Sequence, residues 1–193
     1  MFKVADLFDL SQTDHAGLFV SDGPAWEALP HIKDYLAETL KPDILATVSP
    51  QAIVGENVSI GEGTIVAASA CIEGPAIIGS NCQIRHNAYI RAHVIVGDNC
   101  VVGNACELKN ALLFNDCQVP HFNYVGDSIL GRHAHLGAGV VLSNFKSLPG
   151  NVAVQNGNDK IDTRLRKFGA LIGDHTEIGC NCVLNPGSIL GRY

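Results

Sequence analysis

From Val48 to Phe114 an aliphatic or large apolar side chain returns at every sixth position: Val48, Val54, Ile60, Val66, Ile72, Ile78, Ile84, Ile90, Val96, Val102, Leu108 and Phe114. Four residues after most anchors the side chain is small, as at Ala52, Thr64, Ala70, Ala76, Cys82, Ala88, Cys100 and Cys106. Gly55, Gly61, Gly79, Gly97 and Gly103 directly follow anchors. An amphipathic helix repeats its apolar face at three and four residues, and a half-buried strand at two. A period of six with a turn residue behind the anchor predicts short strands bent at regular corners and stacked coil upon coil. The expected fold is all-β, a parallel β-helix over residues 46–193.

Three stretches depart from this rhythm. Residues 1–45 form an N-terminal segment in which Trp26, Leu29, Ile32, Leu36 and Leu40 recur at helical spacing. The spacing predicts a short cap helix from Pro24 to Leu40, started by Ser21 or Asp22, ended by Pro42 and covering the open first coil. Beyond Phe114 the next anchors in phase are Tyr124, Leu130, Leu136 and Leu142, so ten residues separate 114 from 124, one hexad plus four. This predicts that Val119–Asn123 is a loop pushed out of the coil, carrying His121. Between residues 145 and 167, Val152-Ala153-Val154 and Lys160-Ile161-Asp162 flank Asn156-Gly157. That pattern predicts a protruding β-hairpin with Arg164, Arg166 and Lys167 on its return. Hexads resume at Ile172, Ile178, Leu184 and Leu190. No capping pattern follows them, so a partner or further chain is expected over the last coil.

With 193 residues, 47% hydrophobic but only 6% aromatic, the composition suits one domain with a core of Val, Ile, Ala and small residues. A net charge of −6 argues against a general nucleic-acid or anionic-membrane binder. The seven cysteines are odd in number, and Cys82, Cys100, Cys106 and Cys182 occupy the small interior position of the hexad. Packed, reduced thiols are expected rather than disulfides or zinc ligands. With no signal peptide or long apolar run, a soluble cytoplasmic protein is expected.

Candidate chemistry gathers near the irregular stretch: Glu107, Lys109, His121, Tyr124, Asp127, His133, His135 and Asn144. Coils of about eighteen residues place Lys109 above Arg91. Two outward cations so stacked repel unless an anion joins them, which predicts a phosphate site. His121, with Glu107 one coil earlier, has the composition of a general base oriented by a carboxylate.

The stretches Gly103–Asn110, Val119–Asp127, Leu136–Gly139 and Asn144 resemble the hexapeptide-repeat acyltransferases. The likeness is to the acetyltransferase domain of the bifunctional glucosamine-1-phosphate acetyltransferase / N-acetylglucosamine-1-phosphate uridylyltransferase. It is closer still to the archaeal-type sugar-1-phosphate nucleotidylyltransferases. The resemblance implies a left-handed parallel β-helix, against the usual crossover hand, and a homotrimer with its site between subunits. It implies acetyl-CoA as acyl donor and an amino-sugar 1-phosphate as acceptor, with no nucleic-acid or membrane partner. His121 would be the catalytic base, Glu107 its orienting carboxylate, and Asn144 a contact to the amino sugar and acyl group. Arg91, Lys109, Tyr124 and Lys167 would hold the sugar phosphate, while Ala138 and Cys180 would lie along acetyl-CoA. His135 stands where the bacterial enzymes have an Asn on the sugar, and Cys180 where they have a Ser. The family's nucleotidyltransferase domain has no counterpart in residues 1–40, which hold no Gly-rich nucleotide loop.

Two other readings stay open. One is a non-catalytic trimeric module that binds sugar phosphates or a separate nucleotidyltransferase. The other is a metal site like that of γ-carbonic anhydrases, for which His86, His121, His133 and His135 supply the residue type; no metal ligands are assigned.

Overall fold

A computed structural model describes residues 2–193. Short strands repeat along three walls and pair in parallel from coil to coil. One wall is a seven-stranded sheet running from Thr47–Val48 to Glu177–Ile178. The other two join into a thirteen-stranded sheet, because Glu107–Leu113 and Tyr124–Leu130 continue round a corner as seven-residue strands. The predicted all-β parallel β-helix is what forms. The anchors from Ile60 to Leu108 line its interior with side chains 0–1% exposed.

Above Leu108 the rhythm changes, and three expectations are corrected. Ile78 pairs with Val96, eighteen residues on, but Val96 pairs with Leu113, only seventeen on. The interior anchors that follow are Leu113, Val119, Val125, Leu130, Leu136 and Leu142. Two of the steps, 108 to 113 and 125 to 130, are five residues long. The deficit counted in the sequence is thus split between two corners, one above the other, and is not a single excursion. Val119–Asn123 is no extruded loop: Gln118–His121 is a strand, with Val102 opposite Val119 and Asn104 opposite His121. Tyr124 faces out and Val125 faces in. Phe114 is also outside, 5.2 Å from the Phe8 ring and 6.1 Å from that of Phe19, because an interior of stacked aliphatics has no slot for a benzyl group.

The N-terminal segment is corrected too. A 3₁₀ stretch, Ala25–His31, preceded by Pro24, leads into an α-helix over Ile32–Thr39; neither Ser21 nor Asp22 caps it. The segment does not lie over the first coil. Leu7, Phe8, Leu18, Trp26, Leu29, Ile32 and Leu36 pack against the outer face of one wall, on Ile77, Ile95, Leu112, Ile129, Leu171 and Ile189. That wall is apolar on both faces, and covering it removes the outer row from water. The first coil keeps Leu45 61% and Ile53 66% exposed.

The hairpin forms between Ala153–Asn156 and Asp159–Asp162, turning at Gly157, whose φ of +60° glycine tolerates without strain. It leans on the same flank, with Val152 and Val154 buried against Phe168 and the N-terminal segment. Cys82, Cys100 and Cys117 stack as a column of reduced, buried thiols, each donating to a carbonyl of the next coil: Gly97 at 3.1 Å, Phe114 at 3.1 Å and Gly131 at 3.0 Å. The hydrogen bond to Cys100 and then burial push the Cys82 thiol far up, and burial does the same at Cys100; such thiols are inert. Cys182, expected inside, is exposed on the last coil, where no further coil stacks on it among the described residues. No helix among the described residues is long and apolar enough to cross a membrane.

Candidate functional site

The two shortened steps set up one corner. Asn110 and Asp127 stack there at φ +47° and +46°, a left-handed conformation that Asn and Asp accept more readily than branched residues. The Asp127 carboxylate is buried and accepts from Lys109 Nζ at 3.3 Å, from Asn110 Nδ2 at 2.9 Å and from Asn144 Nδ2. Gly126 leaves room for this gathering: a Cβ there would sit 2.6 Å from Asn144 Nδ2 and 2.7 Å from Tyr124 Oη. Burial, then the Glu107 and Asp127 charges, raise the Tyr124 hydroxyl above its ordinary 10.0, opposed by its hydrogen bond with Asn144 and by Arg91.

Arg91 does lie directly below Lys109, as the coil length predicts. The two are not bare cations, however. Arg91 donates to Glu107 Oε1 at 2.9 Å, and Lys109 bonds Asp127 instead. The repulsion is relieved by a carboxylate from the coil above each cation, without an external anion. Both side chains of the Arg91–Glu107 pair are more than a third exposed, so water screens it and it fixes geometry more than it stabilises.

Glu107 therefore faces Arg91, correcting its expected place beside the imidazole. His121 is exposed at the end of its strand. Its backbone N–H donates to Asn123 Oδ1 at 3.0 Å, and its ring lies 6.4 Å from that of Phe122. Gly139 N donates to His121 O at 3.0 Å and Asn181 N to Ala138 O at 2.8 Å. Ala138 and the exposed Cys180 thus continue upward along the same edge as His121. At the neighbouring corner Phe168 N donates to Asn144 O at 2.9 Å, which puts exposed Lys167 at the rim beside Asn144.

His135 does not join this group within the chain. It faces out from the seven-stranded wall between Gln118 and Glu177, lining a 390 Å³ groove with Asp116, His133 and His175. Its parity on that strand aims it there. His86, His121, His133 and His135 do not converge, and no group of three His, Cys, Asp or Glu among the described residues could hold a metal ion. Sequence reasoning left out the hub role of Asp127, along with Asn110 and Gly126. The signal lay in the two-residue deficit together with an Asn and an Asp seventeen residues apart.

A family model described as the GMPPB C-terminal domain matches residues 72–159. The chain is 31% identical over 169 residues to a bifunctional protein GlmU of Methanococcus aeolicus, covering 88% of this chain and 41% of that protein. To a GlmU of Methanocaldococcus jannaschii it is 32% identical with the same coverage. A bifunctional sugar-1-phosphate nucleotidylyltransferase/acetyltransferase of Sulfurisphaera tokodaii is 33% identical over 85 residues, 44% of this chain and 21% of that one. Among solved structures, a GDP-perosamine N-acetyltransferase variant of Caulobacter crescentus, in complex with CoA and GDP-perosamine, is 17% identical. It covers 72% of this chain and 52% of that one, with a TM-score of 0.39. The chain spans about two fifths of the curated relatives that it matches along most of its length. Of these curated relatives, the Sulfurisphaera tokodaii protein carries both the nucleotidylyltransferase and the acetyltransferase in its name.

Proposed function

We propose that this chain is an acyltransferase that moves an acetyl group from acetyl-CoA to the amine of an amino-sugar 1-phosphate, as a cytoplasmic homotrimer with its site between subunits. The observation that carries the reading is the pair of adjoining edges. One bears an accessible imidazole with Ala138 and Cys180 stacked beyond it; the other bears Lys109, Tyr124 and Asn144, with Lys167 at the rim.

On this reading His121 takes the proton from the amine as its nitrogen attacks the thioester carbonyl. The new C–N bond forms as the C–S bond breaks, and the leaving thiolate receives the proton from the imidazolium. Arg91, Lys109, Tyr124 and Lys167 bind the phosphate, which would join the two salt-bridged cations as a shared anion. Asn144 contacts the amino sugar and so helps to place its amine against the acyl group, and Glu107 serves by fixing Arg91. Ala138 and Cys180 border the acyl donor. A panel of amino-sugar 1-phosphates with acetyl-CoA, read by thiol release, tests this. Turnover by the wild type, lost in His121→Ala with an unchanged oligomer, is the expected result; full activity of that variant would refute it.

A second reading is a non-catalytic sugar-phosphate-binding module that partners a nucleotidyltransferase. It is favoured by one observation: Glu107 bonds Arg91, and among the described residues no carboxylate pairs with the imidazole. Calorimetry that detects sugar phosphate binding but no acetyl-CoA binding would select it.

A further inference from the structure

Corners in this fold need only a residue that tolerates φ near +60°, and Asn57, Asn81 and Asn99 do this elsewhere in the coils. Asp127 does more than turn the chain. Its side chain is only 8% exposed, yet its oxygens reach Lys109 on the coil below and Asn144 on the coil above, besides Asn110 at the same corner. Its own carbonyl accepts from Gly169 N at 2.8 Å, which ties down the return from the hairpin two residues after Lys167. Next to it, Ser128 Oγ donates to Gly126 O at 2.8 Å and accepts from Ala170 N at 2.9 Å. A buried carboxylate is costly to desolvate and is kept where its partners hold it. Here those partners include two residues, Lys109 and Asn144, that the acetyl-transfer reading places on the acceptor.

We infer that Asp127 is a positioning residue for the acceptor half of the site. Its carboxylate sets the Lys109 ammonium and the Asn144 amide at a fixed separation over Gly126, and its backbone holds the Lys167 segment beside them. The inference rests on the acetyl-transfer reading for what is positioned. The tethering itself stands on the hydrogen bonds alone. None of the three tethers reaches the His121–Ala138–Cys180 edge, so the donor half should be insensitive to Asp127.

Asp127→Asn is the discriminating variant, because Asn keeps the size and accepts the left-handed corner while removing the charge that Lys109 and Asn144 share. In steady-state assays the KM for the acceptor should rise about tenfold, the loss expected for weakened hydrogen bonds to a charged group. The KM for acetyl-CoA should stay unchanged. An unchanged acceptor KM, or both KM values rising together with a lowered melting temperature, would overturn the inference in favour of a merely structural corner. A second measurement does not depend on turnover. Labelling of Lys109 by an amine-reactive reagent, read by peptide mass spectrometry, should speed up several-fold in Asp127→Asn while Lys33 and Lys160 label as before. Equal Lys109 labelling would refute the tether even in an active enzyme. If the wild type acetylates no amino-sugar phosphate but Lys109 labelling still rises, the acetyl-transfer reading falls and the tether survives.

Discussion

Two corners of the same coils are built in opposite ways. At Asn110 and Asp127 the chain turns within a five-residue step, and a buried carboxylate collects three donors from successive coils. At Asn104 and His121 the step stays at six residues, the strands remain in register, and the imidazole faces outward. The first corner spends its polar groups on one another; the second leaves one free. A group satisfied within the protein can hold neighbours in place but has little left for a ligand, whereas an unpartnered imidazole can accept a proton. A rigid corner beside an open one is a division of labour that a perfectly periodic coil could not offer.

The comparison breaks most sharply at the open corner. His121→Ala should lower acetyl transfer by on the order of 10³-fold and leave the melting curve where it was, since the ring is exposed; thiol release and a thermal melt measure the two. The strand beneath His121 depends on close approach between coils. A Cβ on Gly103 would lie 1.6 Å from the Pro120 carbonyl oxygen, so Gly103→Ala should cost about 3 kcal/mol, read as a shifted denaturant midpoint. At the tight corner, Asn110→Val puts a branched side chain at φ +47° and removes a donor to Asp127. It should cost about 2 kcal/mol, a smaller loss than at Gly103. The smallest effect belongs to Tyr124, between the two corners. Its hydroxyl holds its proton above 10.0 because burial comes first and the Glu107 and Asp127 charges second. The unfolded chain therefore ionises first, and stability is lost as pH rises above about 10 toward the folded value. Tyr124→Phe should flatten that decline in equilibrium unfolding at pH 9 to 11, with Tyr35 and Tyr89 left as the common background.

The outer wall that receives the N-terminal segment could have been found in the sequence. Ile77-Ile78, Ile95-Val96, Leu112-Leu113, Ile129-Leu130, Leu171-Ile172 and Ile189-Leu190 are paired apolar residues at one point in each coil. Such a pair marks a strand buried on both faces. The helical spacing of Trp26, Leu29, Ile32 and Leu36 identified the covering piece, and the paired residues identify the surface it covers. The site was less legible. Lys109 above Arg91 follows from coil length, but the carboxylate that each one bonds does not. Arg91 and Glu107 meet in the regular eighteen-residue register, across strands rather than along one. The Lys109–Asp127 contact depends on where two missing residues are absorbed, and the sequence counts that deficit without locating it.

The sequence by itself determined the stacked coils and the interior thiols through Cys106, from the spacing of apolar anchors, and the hairpin at Gly157, from Asn-Gly between alternating runs, because each follows from a local pattern. Only the tertiary structure decided that Phe114 lies outside, that Glu107 holds Arg91 and that Asp127 ties Lys109 to Asn144. These partners are sixteen residues apart or more, and a shift of one residue at a corner turns a side chain from the core to the surface. The register across coils, and not the sequence nearby, selects which charges meet.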